Sequence, residues 1–176
     1  LVIDDNALFR QSELAAIRDV KAEPQSAVEA RAAGISYVHL SGTVGCIVSG
    51  AGLGMATLDM LARHNAAGSS LLDLGSDVQR DKISAALRLI LPEARAVLFN
   101  IFADKTSCVE VARELLAAFS TLRPTLPLVI RLTGRDTEAG RAALEAANLP
   151  LLSTALTTYE AVEAVSKGVA HVHSGG

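Results

Sequence analysis

From Ile35 onward, hydrophobic positions follow two alternating rhythms. Short, nearly unbroken apolar runs of strand type fall at residues 35–40, 45–48, 70–74, 96–102, 127–132 and 150–153. Between the later runs, apolar residues recur at i, i+3, i+4 and i+7. Ile83, Ala86, Leu87, Ile90 and Leu91 form one such stripe, Cys108, Ala112, Leu115, Leu116 and Phe119 a second, and Thr158, Ala161, Val162, Val165 and Val169 a third. A stripe of that period is the buried face of a helix, and a continuous apolar run fits a strand covered on both sides. Strands alternating with helices require right-handed crossovers, so the expected class is α/β: an open, mostly parallel sheet with helices on both faces. Before Ile35 the pattern fades. Asp4-Asp5-Asn6 is a turn signal, Gln11 to Ile17 suits a short helix, Pro24 breaks the chain, and a second short helix fits before Gly34.

Three of the strand runs end in a small or polar turn and lead into a helix: Val48-Ser49-Gly50-Ala51-Gly52-Leu53, Leu74-Gly75-Ser76-Asp77 and Phe102-Ala103-Asp104-Lys105-Thr106. Such a junction aims free backbone N–H groups and the positive end of a helix dipole at one spot, which suits phosphates and carboxylates. Only the first keeps bare glycines that let an anion come close. Taken alone, the run Gly50 to Gly54 equally fits glycines that permit close packing of helix on strand. In a parallel sheet all three junctions belong to the carboxyl edge, where ligands bind.

Composition narrows the picture. The 176 residues are half hydrophobic, enough to bury a sizeable core, with four Phe, two Tyr and no Trp. Scarce aromatics and a net charge of −3 with interspersed signs argue against a nucleic-acid or acidic-membrane partner. No apolar run reaches membrane-span length and no signal peptide is evident, so a cytoplasmic location is expected. Cys46 and Cys108 are single and far apart, which excludes CxxC redox or zinc spacing and fits a reducing compartment. The chain opens in mid-pattern at Leu1 without an initiating Met, which suggests a piece of something longer.

The stretches Asp4-Asp5-Asn6-Ala7-Leu8-Phe9-Arg10-Gln11, Gly45 to Asp59, Leu72-Asp73-Leu74-Gly75, Val97 to Phe102 and Val129-Ile130-Arg131-Leu132-Thr133-Gly134 resemble the β subunit of succinyl-CoA synthetase, in that family's order and at nearly its spacing. The resemblance covers essentially the whole chain. It implies a flavodoxin-like CoA-ligase domain over residues 35–172, preceded by an arm at 1–34 that ends an ATP-grasp domain, and followed by a tail at 173–176. The implied activity is acid–thiol ligation: a nucleoside triphosphate phosphorylates a histidine of a partner α subunit, and the phosphate passes to a carboxylic acid that CoA then attacks. ATP or GTP, magnesium and CoA are implied for the complete enzyme. Nucleotide and magnesium would sit before Leu1, so this fragment alone would neither hold them nor turn over, and no catalytic or metal-binding residue is assigned to it. A mitochondrial matrix location is implied for a eukaryotic source.

By family position, the substrate-binding residues are Ser49, Asp104, Lys105 and Thr106, and the phosphate-facing turns carry Gly50, Gly52, Gly75 and Ala103. Ser49 replaces an Asn, and its hydroxyl lacks the amide's reach and double donor. Asp104 replaces a glycine and brings a like charge, worth about 1 kcal/mol in water and more in a dry site, to where an anion would sit. Ser107-Cys108-Val109-Glu110 and Ser76-Asp77-Val78-Gln79 both read as capping boxes that would satisfy their own helix N-termini. Lys105 has two readings, a point charge for an anion or half of an exposed Asp104–Lys105 pair. The departures leave open a non-catalytic homologue that keeps the fold and the subunit interface.

Other candidates are weaker. Asp73, at a strand's carboxyl end, is either a site carboxylate or a structural group at the turn. Cys108 is either activated by a helix N-terminus or a buried, inert thiol in its apolar stripe. His39 ends a strand, His64 ends a helix, and His171 and His173 fall in the tail as solvated residues without a spaced metal partner.

Overall fold

The computed structural model describes Glu13 and residues 23–173. The turn expected at Asp4 to Asn6 and, apart from Glu13, the helix expected from Gln11 to Ile17 lie outside them. The elements are α1 (Gln25–Ala32), β1 (Ser36–His39), β2 (Val44–Val48), α2 (Ala51–Arg63), β3 (Gly68–Asp73), α3 (Arg80–Ile90), β4 (Ala96–Ala103), α4 (Cys108–Leu122), β5 (Leu128–Gly134), α5 (Thr137–Ala146), β6 (Leu152–Ala155) and α6 (Thr158–His173). All six apolar runs are strands and all three stripes are helices, with ends shifted by a residue or two.

The six strands form one sheet in the order β1-β3-β2-β4-β5-β6. Every neighbouring pair is parallel except β1 with β3, which is antiparallel. The five parallel strands have the flavodoxin-like order, in which the chain leaves β2 toward β3 on one side and later adds β4 on the other. The point where direction reverses lies between β2 and β4, and in open sheets of this kind the ligand crevice is the one outside the carboxyl ends of those two strands.

Strand alternation sorts the core into two layers. Ile47, Leu72, Val97, Phe99, Ile101, Leu128, Ile130 and Leu132 face α3, α4 and α5 in the larger cluster. Val44, Cys46, Val48, Leu71, Ala96, Leu98 and Val129 face α2 and α6 through Leu61, Ala161, Val162 and Val165. All five residues of β2 are buried, as expected of a central strand covered on both faces. Helix α1 lies in the stretch expected to be an arm, yet its Ala30 is fully buried in the larger cluster beside Ile35. Helix α6 continues through His173, so His171 and His173 belong to its last turn by backbone and not to an extended tail.

Candidate functional site

The carboxyl edge gathers the three junctions as expected, and they differ in how each helix N-terminus is satisfied. At the first, Gly50 is the N-cap of α2, with φ 107° and ψ 131°. That left-handed region strains any residue with a Cβ, so the turn depends on glycine there. No side chain caps α2 and no acid lies in its first turn. A Cβ added at Gly50 or Gly52 would meet nothing within 4 Å, so open space lies in front of this helix.

The flanking groups hold the turn rigid. Asp73 Oδ1 accepts from Gly50 N–H at 2.6 Å and from Gly75 N–H at 2.8 Å, tying the turn after β2 to the turn after β3. Asp73 is thus a structural carboxylate. Gly75, at φ 71°, has its N–H turned back on this group. Ser49 Oγ donates to Phe102 O at 3.1 Å and accepts from Phe102 N–H at 2.7 Å, which fastens the end of β2 to β4 across the crevice.

At the second junction the expected capping box does not form. The N-cap of α3 is Gln79, without a side-chain cap bond, and the helix starts at Arg80. Gln79 Nε2 instead donates to Asp77 Oδ2 at 2.9 Å, and Lys82 Nζ donates to Leu74 O at 3.1 Å. The physical reason is the positive φ at Gly75, which redirects the chain away from β3 and delays the helix, leaving exposed Ser76 in the turn. Asp81 occupies the first turn of α3 and supplies negative charge at the dipole's positive end.

At the third junction the box is complete. Ser107 Oγ accepts from Glu110 N–H and Glu110 Oε2 accepts from Ser107 N–H at 2.9 Å. These bonds from Ser107 hold the Glu110 carboxyl below its ordinary range. Cys108 N–H donates to Arg135 O at 2.8 Å, so a second N–H of the first turn is taken by backbone. Asp104 and Lys105 are exposed, and among the described residues neither forms an ion pair, so the Asp104–Lys105 pair, one of the two readings of Lys105, is not made. Ala103 lies inside β4, 3% exposed and opposite Gly134, and does not face a ligand turn. Thr106 Oγ1 is buried without a hydrogen-bond partner. It lines a hollow of about 440 Å³ between the first turns of α3 and α4, with Asp77, Arg80, Asp81, Glu110, Arg113 and Glu114.

The structure therefore ties Gly50 and Gly75 together through Asp73, with Ser49 just before Gly50 and Gly52 in the first turn of α2, and sets Asp104, Lys105 and Thr106 on the turn after β4. The Cys108 thiol is fully buried and burial raises its pKa, opposite to the shift that activates a thiol; burial pushes the Cys46 thiol up to about 12. His64 is the C-cap of α2 and packs edge-on against Tyr159, and His39 Nδ1 lies 3.2 Å from Glu93 Oε2. Among the described residues no group of three His, Cys, Asp or Glu could hold a metal ion, and no helix is long and apolar enough to cross a membrane.

One cluster escaped the sequence reading. Asn100, fully buried on β4, donates through Nδ2 to Thr57 Oγ1 of α2 at 2.9 Å and to Thr158 Oγ1 of α6 at 3.3 Å. Its Oδ1 accepts from Arg131 Nη1 of β5 at 3.1 Å. The available signal was an Asn and an Arg inside otherwise apolar strand runs, since buried polar groups need partners.

The CoA-ligase family model matches residues 47–165, which takes in the crevice, all three junctions and the Asn100 cluster. The chain belongs to the CoA-ligase family. It is 43% identical over 167 residues to the succinate–CoA ligase [ADP-forming] subunit beta of Chloroflexus aurantiacus, covering 93% of this chain and 44% of that one. The corresponding subunit of Roseiflexus sp. is 40% identical over 167 residues, with coverage of 93% and 44%. The domain thus matches the CoA-ligase portion of succinate–CoA ligase β subunits, and the chain spans less than half the length of these curated relatives. Among solved structures, an ATP citrate lyase from Methanosaeta concilii superposes with a TM-score of 0.64 at 14% identity, over 86% of this chain and 46% of that one. A dinucleotide-forming acetyl-coenzyme A synthetase 1 from Ca. Korarchaeum cryptofilum gives 0.61 at 15% identity, over 78% and 35%. These two share the fold.

Proposed function

We propose that this domain is the CoA-ligase portion of a succinate–CoA ligase-type β subunit, and that the N-terminus of α2 receives a phosphoryl group carried on a histidine of a partner α subunit. The single observation that carries the reading is the contrast among the three helices. Only α2, at the switch point of the sheet, has neither a side-chain cap nor an acid in its first turn. Preorganised N–H groups and the helix dipole need no reorganisation as phosphoryl charge moves, which is how such a terminus aids transfer between histidine, acid and nucleotide. Gly50 and Gly52 leave room for the group, and the Ser49 stitch to Phe102 keeps the crevice walls fixed.

In this reading ATP or GTP and magnesium bind elsewhere in the complete protein, while the acid and CoA meet at the assembled subunit boundary. The fragment alone does not turn over. The test is a coupled assay of the complete protein with its α partner, CoA, nucleotide and a panel of carboxylic acids. Acid-dependent CoA-ester formation supports the proposal, and no ester with any acid sinks it.

A second reading, a non-catalytic homologue, draws on the third junction. Asp104 stands exposed on the turn where the family keeps a substrate-contacting glycine, and α4 satisfies its own first-turn N–H groups. Retention of the α-partner interface without acid-dependent turnover is its expected signature.

A further inference from the structure

Level with the carboxyl end of β2, in the middle of β5, stands a cation that forms no ion pair with a carboxylate among the described residues. Arg131 lies in the same row across the sheet as Asn100 of β4 and Val48 of β2, the residue before Ser49. Adjacent strands are about 4.8 Å apart, so its backbone is about 10 Å from that of Val48. The side chain leans toward β2, because its Nη1 reaches Asn100 Oδ1. Asn100 is fully buried and is itself fixed by Thr57 and Thr158. Arg131 Nε is closed off from solvent without a hydrogen-bond partner, and among the described residues no Asp or Glu forms an ion pair with this side chain.

Two arguments give this cation a role. A half-buried charge held only by a neutral amide is a poor structural device, since its desolvation is not offset by an opposite charge. The crevice also needs a cation: Asp73 sits beside the α2 turn and Asp104 on the next turn, and both oppose an incoming anion. We propose that Arg131, held by Asn100, is the specificity-determining cation of the β2–β4 crevice, favouring a dianionic phosphoryl group over a monocarboxylate. The proposal rests on the reading of α2 as the anion-receiving terminus.

The test titrates inorganic phosphate, and separately acetate, into the 176-residue chain at pH 8 and low ionic strength by calorimetry, with circular dichroism to verify folding. Coulomb energy scales with ligand charge, so Arg131→Gln weakens phosphate about fivefold and acetate only about twofold. Arg131→Lys restores the charge with a different hydrogen-bonding geometry and stays within about twofold of wild type. Gly52→Asp, which places a carboxylate at the α2 terminus where an added Cβ meets no atom within 4 Å, also weakens phosphate.

If Gly52→Asp weakens binding and Arg131→Gln does not, the Arg131 proposal is overturned and the α2 reading stands. If Arg131→Gln weakens binding and Gly52→Asp does not, the anion is not at α2 and both fall, as they do if the wild-type chain binds no phosphate. Equal losses with Lys and Gln would overturn the charge argument in favour of a purely structural role.

Discussion

Replacing Asn100 by Ala removes a group that joins β4, β5, α2 and α6 through polar contacts. The bond from Arg131 is charge-assisted, and its loss leaves a partly buried guanidinium with an unsatisfied N–H in addition to Nε, at a cost of about 1.5–3 kcal/mol. The bond to Thr57 is neutral and contributes about 1 kcal/mol, while that to Thr158, at 3.3 Å, is longer and contributes less. Truncating a side chain that is 0% exposed adds a small cavity, worth about 0.5–1 kcal/mol. The expected loss is about 3–5 kcal/mol, or a fall in Tm of roughly 10 °C for a chain of this length. Urea unfolding followed by circular dichroism measures it, with an unchanged m value as the sign that native and denatured states are otherwise alike. The companion variant Arg131→Met removes the charge that Asn100 serves. The double variant should therefore be less destabilised than the sum of the singles by about 1 kcal/mol or more, because neither partner is left waiting for the other. A loss below about 1 kcal/mol for Asn100→Ala, or additivity within about 0.5 kcal/mol, would refute the reasoning.

Four further outcomes follow from named groups. Ser107→Ala should cost about 1 kcal/mol as a lost N-cap, read as a shift of the urea midpoint, and no shift would mean the box contributes nothing. Because the bonds from Ser107 hold the Glu110 carboxyl below its ordinary range, its contribution is present above the unfolded pKa, about 4.3, and fades as pH falls through the lower folded value. The stability gap between wild type and Glu110→Gln should accordingly shrink on acidification below about pH 4, whereas a gap independent of pH would contradict the assignment. Asp104→Gly should strengthen sulfate binding about threefold at low salt, an advantage that disappears at about 0.5 M salt because the exposed charge is screened; unchanged affinity by calorimetry would count against repulsion there. Cys46, with its thiol pushed up to about 12, and buried Cys108 should both stay unreactive toward a disulfide reagent at pH 8 until urea exposes them, and prompt reaction of either in the native protein would contradict the burial seen here.

The six strands and the three striped helices were legible because burial is written in residue type at fixed periods, and Ile47 or Leu87 can serve no other purpose in so apolar a context. The antiparallel direction of β1 was not, since the run from Ile35 to Leu40 reads the same whichever way it pairs. Local chemistry had equally uneven reach. The pattern of Ser76 and Gln79 matches that of Ser107 and Glu110, yet only the second pair forms a box, because Gly75 turns the chain at positive φ and Asp73 draws its N–H away. The Asn100 cluster was beyond a local reading altogether. Its other members lie 31 to 58 residues from Asn100 in sequence, and only strand register and helix placement bring them together.

The carboxylate of Asp73 is the feature that argues most directly against an anion at α2, and its geometry answers the objection. It accepts from Gly50 N–H, which belongs to the N-cap residue, and leaves the N–H groups of Ala51, Gly52 and Leu53 without a side-chain cap. At α4 the acid acts differently: the box takes Glu110 N–H, backbone takes Cys108 N–H, and Val109 alone remains in the first turn. An acid that clamps the N-cap from the side shapes the turn while leaving its mouth open, and an acid within the first turn closes it. The cost of the first arrangement is a standing negative charge beside the site. An arginine two strands away, held by a buried amide and given no carboxylate of its own, is the kind of group that offsets it.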